Sequence, residues 1–373
     1  MRLAALAACL LAAAALAQPA PVVFDEAQVR RIASLGPWPP PRVPDPSNRV
    51  SGNPDAIALG ERLFDDRRLS KSGGVACTTC HRPAHAFTDG NERAQGIARG
   101  DRNTPTVHDL AGLRWYGWDG AQDNLWAQSL RPMVDPREMG ADLAHVASRV
   151  REDPQLRAAY QKAFGHAPGR DDQRVAVDAS KAIAAYLETL TSARSAFDDF
   201  RDALLRGDKE AMAKYPVLAQ RGLAIFVGSG KCTTCHAGPR LSNGEFHDVG
   251  IPFFVEPGRV DPGRYDGIRK LKASPYNLLG KYNDDPRRRT ATSTRHVALD
   301  HRNYGEFKVP SLRGVADTAP YMHNGSLATL RDVVRHYSNL DVDRLHADGE
   351  AILVPLNLDK YDLDALVAFL ETL

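Results

Sequence analysis

The pentapeptide CTTCH occurs twice, at Cys77–His81 and Cys232–His236. CxxCH lets two thiols add to the vinyl groups of a haem and sets a histidine under its iron. A chain with two copies is built around two covalently held c-type haems. The competing chemistry for CxxC is zinc or a redox dithiol. Zinc needs four ligands gathered at one site, whereas these copies lie about 150 residues apart and each already ends in histidine. Of the five cysteines, four sit in the pentapeptides and the fifth is Cys9, so none is left over for a disulfide.

Cys9 falls in an N-terminal apolar run that reads as a secretory signal over 1–17: Arg2, the stretch Leu3 to Ala15, and a small-x-small cleavage site at Ala15-Leu16-Ala17. The run is too short to span a bilayer. The expectation is an exported, periplasmic protein with no membrane anchor, its haems attached outside the cytoplasm. A composition of 43% hydrophobic and 25% charged residues with a formal net charge of +2 gives no sign of a nucleic-acid partner.

The roughly 356 remaining residues are too many for one core and suit two domains. Gly60-Glu61-Arg62-Leu63-Phe64 precedes the first CTTCH and Gly222-Leu223-Ala224-Ile225-Phe226 the second, each reading as a helix that runs into a haem-binding loop. The expected fold is mainly α, with two cytochrome-c-like haem domains related by duplication. An extended Pro-rich leader over 18–50 is followed by an N-terminal domain over 51–206 and a C-terminal domain over 207–373. Helical periodicity is strong from Leu143 to Phe164 and from Val175 to Leu205, where Ala182, Ile183, Tyr186, Leu187 and Leu190 share a face. Thr88 to Pro105 and Phe253 to Phe307, rich in Gly, Pro, Asp and Arg, read as long irregular haem-packing loops.

CTTCHRPAHAFTDG (77–90), RNTPTV (102–107), GWDG (117–120), PREMG (136–140), CTTCHAGPRLSNGEFHDVGIP (232–252) and FKVPSLRGVADTAPYMHNGSLATLRDVVRHY (307–337) resemble, in order and spacing, the bacterial dihaem cytochrome c peroxidase family, including its MauG branch. The resemblance makes His81 and His236 the proximal iron ligands. In peroxidase-type relatives a histidine about sixteen residues after the first CxxCH can cap the resting haem. Here that neighbourhood is Gln95-Gly96-Ile97-Ala98-Arg99, so the first haem is expected to keep an open face. His85 is too close to the attachment loop to reach that face, and His108 lies beyond the RNTP turn.

Above the first haem the resemblance places Gln128 and Glu138, ten and twenty residues after Trp118. Glu138 would carry a proton from the inner to the outer oxygen of hydrogen peroxide and Gln128 would orient the peroxide by hydrogen bonding, while Trp118 would lie between the haems as an electron relay. Family peroxidases ligate the second haem with Met, but Met1, Met133, Met139, Met212 and Met322 do not occupy that position. The matching residue is Tyr337, with the adjacent His336 as its rival. Leu330, Val333, Val334 and Tyr337 share one helical face and His336 points elsewhere. The resemblance also implies a calcium ion between the domains, held by Asn103, Thr318 and Pro320.

These features imply a dihaem oxidoreductase of the peroxidase type. It would act on hydrogen peroxide and oxidise a partner protein in the MauG manner. Two alternatives stand beside it: a cytochrome c peroxidase fed by a small cytochrome or cupredoxin, and a non-catalytic electron carrier.

Overall fold

The computed structural model describes residues 20–252, 254–349 and 352–373. The expected signal over 1–17 and Cys9 lie outside the described residues. Helices dominate. Among the described residues strands are confined to two short antiparallel pairs, Phe246–His247 with Phe307–Lys308 and Phe254–Glu256 with Arg259–Val260. Among them, too, no helix is long and apolar enough to cross a membrane.

The apolar period from Leu143 to Phe164 is cut by Asp153-Pro154, because proline lacks an amide donor and disfavours helical geometry in the residue before it. One helix therefore runs Leu143–Glu152 and the next Pro154–Phe164, with Asp153 Oδ1 accepting from the amides of Gln155 and Leu156. The second periodic stretch divides likewise into Asp172–Leu187 and Ala196–Arg206, the latter started by a reciprocal Ser195–Asp198 capping box.

Two apolar clusters form, and each is built on the same kind of helix crossing. In the first, Pro54–Phe64 lies across Asp172–Leu187, and Leu59, Leu63, Trp126, Leu130 and Ile183 are buried around it. In the second, Val217–Val227 lies across Lys360–Leu370 among Leu223, Phe226, Leu366 and Phe369. Each crossing closes on a glycine: a Cβ on Gly60 or Gly222 would stand 2.0 Å from the carbonyl oxygen of Ala182 or Ala365. Only a residue without a side chain lets the backbones meet so closely. Both crossing helices lead directly into a CTTCH.

The arrangement of the leader differs from the sequence expectation. Glu26–Ser34 is a helix, opened by an Asp25–Gln28 capping box, and Ile32 and Leu35 sit in the second cluster. Its arginines and short length hide the apolar face in the sequence. Phe197 and Phe200, expected in the N-terminal unit, also pack in the second cluster. Gly36 to Pro46 is non-helical, as expected, with Trp38 buried beneath the Arg313 guanidinium at 4.4 Å and its Nε1 donating to Ser192 O. The 253–307 stretch is less irregular than expected, since Arg264–Ala273 is a helix whose many charges dilute its period. Gly267 allows it to press on Asp119, whose carbonyl oxygen lies 2.0 Å from where a Cβ would be.

Candidate haem sites

Each CTTCH forms a single helical turn, Cys77–Cys80 and Cys232–Thr234. The half-buried histidine that follows donates its Nδ1–H to a backbone carbonyl on its own loop. His81 bonds Phe87 O at 3.0 Å and His236 bonds Leu241 O at 3.0 Å. Such a bond fixes the tautomer and ring orientation and leaves Nε2 as a lone-pair donor for a metal. Burial pushes His236 down to about 4 and His81 below the usual imidazole range, so both rings are neutral and able to ligate. Two thiols and one such imidazole at each place are the donor set a c-type haem needs.

The thiols have the opposite electrostatics from a redox dithiol. Burial pushes Cys77 and Cys232 up to about 12 and Cys80 up to about 11, whereas a reactive CxxC pair depends on a lowered value. Among the described residues, the one group of three or more His, Cys, Asp or Glu side chains at metal-holding distance is His301, His346 and Asp348, none of them in a pentapeptide.

Leu125–Val134 begins at an Asn124 cap and carries Gln128 and Arg131 three residues apart on one face. Gln128 Oε1 lies against Gly117, and the turn holding Trp118 is closed by pairing of Tyr116 with Gln122. Glu138 follows on a turn and accepts a 2.7 Å charged hydrogen bond from Arg131 Nη2. Its carboxylate lies close enough to Cys77, Cys80 and His81 to act electrostatically on all three. Arg131, which the sequence reading missed, is held above the usual guanidinium range, because the attraction of Glu138 and Asp135 outweighs its burial. Its signal was the i, i+3 spacing from Gln128.

The loop that could have carried a capping histidine docks on this same turn. Ile97 N–H donates to Glu138 O at 3.0 Å and Ala98 N–H to Arg137 O at 2.9 Å, and Ile97 remains exposed. His108 stacks edge-on against Phe87, whose carbonyl holds His81, at 4.9 Å, on the proximal side of the site.

The second site has the same order of parts. A turn closed by pairing of Tyr321 with Leu327 leads to a Thr329 cap and the helix Leu330–Ser338. The Tyr337 hydroxyl is raised well above the ordinary phenol range, by burial first and then by the nearby Cys232 and Cys235 sulfurs. His336 turns away, its Nε2 2.7 Å from Val249 O.

Trp118 is fastened to both halves. Its Nε1–H donates to Asn103 O at 2.9 Å and its carbonyl accepts from Lys308 N at 2.8 Å. Asn103 N–H donates in turn to His323 O at 2.8 Å, three residues past Pro320, while its Nδ2 binds Asn91 O; Thr318 Oγ1 turns back to Val315 O. Beside them Arg102 forms a fork on Asp261, at 2.6 and 2.7 Å, and a third bond to Asp119 at 2.7 Å. Three charge-assisted bonds hold the WDG turn against the C-terminal half.

A helical scaffold with two such cysteine–histidine sites fits a dihaem electron-transfer enzyme. The family model for di-haem cytochrome c peroxidase matches residues 54–210. The chain is 33% identical over 344 residues to cytochrome-c peroxidase IdrP2 of Pseudomonas sp. strain SCT, covering 91% of this chain and 84% of that protein. It is 34% identical over 337 residues to methylamine utilization protein MauG of Methylorubrum extorquens, covering 90% and 82%. The crystal structure of a MauG-like protein associated with microbial copper homeostasis superposes with a TM-score of 0.67 at 28% identity, over 90% of this chain and 94% of that one. The chain belongs to the dihaem cytochrome c peroxidase family, and is a dihaem oxidoreductase of the peroxidase type.

Proposed function

We propose that this protein is exported to the periplasm, binds one haem covalently through Cys77, Cys80 and His81 and another through Cys232, Cys235 and His236, and uses hydrogen peroxide to oxidise a partner protein. The observation that carries this reading is the placing of Tyr337 beside the second pair of cysteines with His336 committed to Val249 O. A phenolate is a hard anionic ligand that favours oxidised iron, whereas a thioether raises the potential and favours accepting electrons.

The haems supply iron that activates peroxide and stores oxidising equivalents. Around the first, Glu138 takes the proton from the inner peroxide oxygen and delivers it to the outer one, so that water leaves. Arg131 orients the carboxylate through its 2.7 Å charged hydrogen bond. Gln128 would orient the peroxide by donating its side-chain amide N–H to it. Ile97, with no ligand atom, leaves that face open. Trp118 carries electrons between the two sites, held in place by Asn103 and Lys308. A calcium ion held by the Asn103 side chain and by Thr318 and Pro320 would stiffen the segment from which Trp118 hangs. The shared order of parts, from glycine crossing through CTTCH and closed tyrosine turn to distal helix, supports an origin of the two halves by duplication.

Electron paramagnetic resonance of the ferric holoprotein tests the coordination. One high-spin and one low-spin haem, with peroxide reacting before any reduction, is the expected result; two low-spin signals and no reaction until one haem is reduced would overturn it. The cytochrome c peroxidase reading is favoured by the relative of that name, and makes a small cytochrome or cupredoxin the electron donor. Mass spectrometry of a co-expressed exported protein after peroxide treatment separates the two, since only the first reading leaves an oxidised side chain in it.

A further inference from the structure

A cleft of about 630 Å³ opens beside the second CTTCH, lined by Thr234, Asn243, Trp115 and Arg264 and, on its far wall, by Asp300, Arg302 and Asn303. His301 belongs to the same turn as Arg302 and Asn303. Its Nδ1 is 3.0 Å from Asp348 Oδ2, and its ring centroid is 5.0 Å from that of His346. One ligand atom from each of the three lies within 4.8 Å of the other two.

Backbone bonds, rather than burial, bring these side chains together. The 301–303 turn is closed by Tyr304 N–H on His301 O at 3.1 Å and capped by Asp300 N–H on Asn303 Oδ1 at 2.9 Å. The 346–349 turn is pinned by His346 N–H on Asp248 Oδ2 at 2.8 Å and Gly349 N–H on His346 O at 2.8 Å. His301 and Asp348 are 77% and 62% exposed, so neither is there to fill a core. An exposed ion pair contributes about 0–1 kcal/mol, which does not account for a second imidazole drawn up beside it. Asp348 N–H reaches His346 Nδ1 only at 3.3 Å, a long bond that a metal–nitrogen bond outweighs.

We propose that His301, His346 and Asp348 form a binding site for a divalent transition ion, Zn²⁺ or Cu²⁺, separate from both haem sites. Two imidazole nitrogens and one carboxylate oxygen suit these ions, whereas Ca²⁺ and Mg²⁺ prefer oxygen donors throughout. Three protein ligands leave the fourth position to water. The bound ion clamps the 301 turn to the 346 turn, 45 positions later in the chain, and so fixes one wall of the cleft.

The test is calorimetric titration of the chelator-treated holoprotein, both haems loaded and Ca²⁺ in excess, with ZnCl₂ and separately with CuSO₄. About one equivalent of either ion binding with Kd below about 10 μM is the expected result. His346→Ala and Asp348→Asn each weaken it by about tenfold or more, with haem spectra unchanged as the control for folding. In the Cu²⁺-loaded protein, electron spin-echo spectra report two imidazole nitrogens, falling to one in His301→Ala. Weaker binding of both ions, or a titration that the His301→Ala/His346→Ala double variant leaves unaltered, overturns the site.

Discussion

The two CTTCH-bearing halves share a scaffold and differ in the side chains it carries beside each pentapeptide. In each, a glycine lets one helix press on another, the first helix feeds a CTTCH, and the histidine gives Nδ1–H to a carbonyl at 3.0 Å. A turn closed by a tyrosine then opens a capped helix. From there the first half carries Gln128, Arg131 and Glu138, to which the proposed function gives peroxide binding and proton transfer, while the second carries Tyr337, which it makes an iron ligand. Backbone geometry explains what is common and a handful of side chains explains the division of labour. Fold-level likeness therefore says little about which half reacts with peroxide, and the local side chains say most of it.

The sharpest way to break that division is at Glu138. Glu138→Gln is expected to leave both haems attached and to slow the first peroxide-induced spectral change by about a hundredfold or more, the scale for losing a proton-transfer group. Arg131→Leu, which leaves the carboxylate in place without its 2.7 Å partner, should slow it less. Stopped-flow spectra across pH check both. An unchanged rate in Glu138→Gln would remove this residue from the chemistry and erase the distinction between the halves.

Exchanging the second donor comes next in size. Tyr337→Met should keep a low-spin second haem but raise its potential, and so reduce partner oxidation by about tenfold, ~1.4 kcal/mol of barrier, while the peroxide reaction at the first haem persists. His336→Ala should do neither, since His336 bonds Val249 O instead. Spectroelectrochemistry and a partner-oxidation assay measure the two effects. Partner oxidation surviving in Tyr337→Met and failing in His336→Ala would reverse the assignment.

The two CTTCH sites are legible in the sequence from their spacing alone, whereas Trp118, Gln128, Glu138 and Tyr337 are named through the family resemblance and their roles belong to the proposed function. What escaped it depends on contacts between distant segments. Arg131 gains meaning only when the turn after its helix brings Glu138 back to it. The Glu26–Ser34 helix and the Phe197, Phe200 pair join the second cluster although they precede it in sequence by many residues, and no periodicity encodes that choice. The reverse also holds: Pro154 splits a stretch whose apolar period runs on unbroken.

The matched crossings offer a smaller, structural test. A methyl on Gly60 or Gly222 meets a backbone carbonyl that cannot yield as a side chain would. Gly60→Ala and Gly222→Ala are each expected to cost ~1–3 kcal/mol of stability, the usual cost of overpacking, and by similar amounts. Denaturation of the holoprotein measures them. If only one variant is destabilised, the crossings are not equivalent and the structural case for duplication weakens.

The smallest expected effect separates two glutamates at matching positions, six residues past Ala182 and Ala365 on the crossing helices. Glu371 is exposed, but Glu188 is drawn inward, accepts from Ser51 Oγ, and is pushed by burial up to about 7. A carboxyl raised in the folded state holds a proton that the unfolded chain releases near its ordinary value of about 4.5, so its contribution to stability is complete below that value. It is lost as pH rises through about 7. The loss is on the order of 2 kcal/mol or less, reduced by partial exposure. Glu188→Gln should flatten the decline in stability between pH 5 and about 8, and Glu371→Gln should leave it as it is. Urea midpoints measured across that range decide the matter: an undiminished decline in Glu188→Gln would mean that another group governs it and that the two helix ends are electrostatically alike.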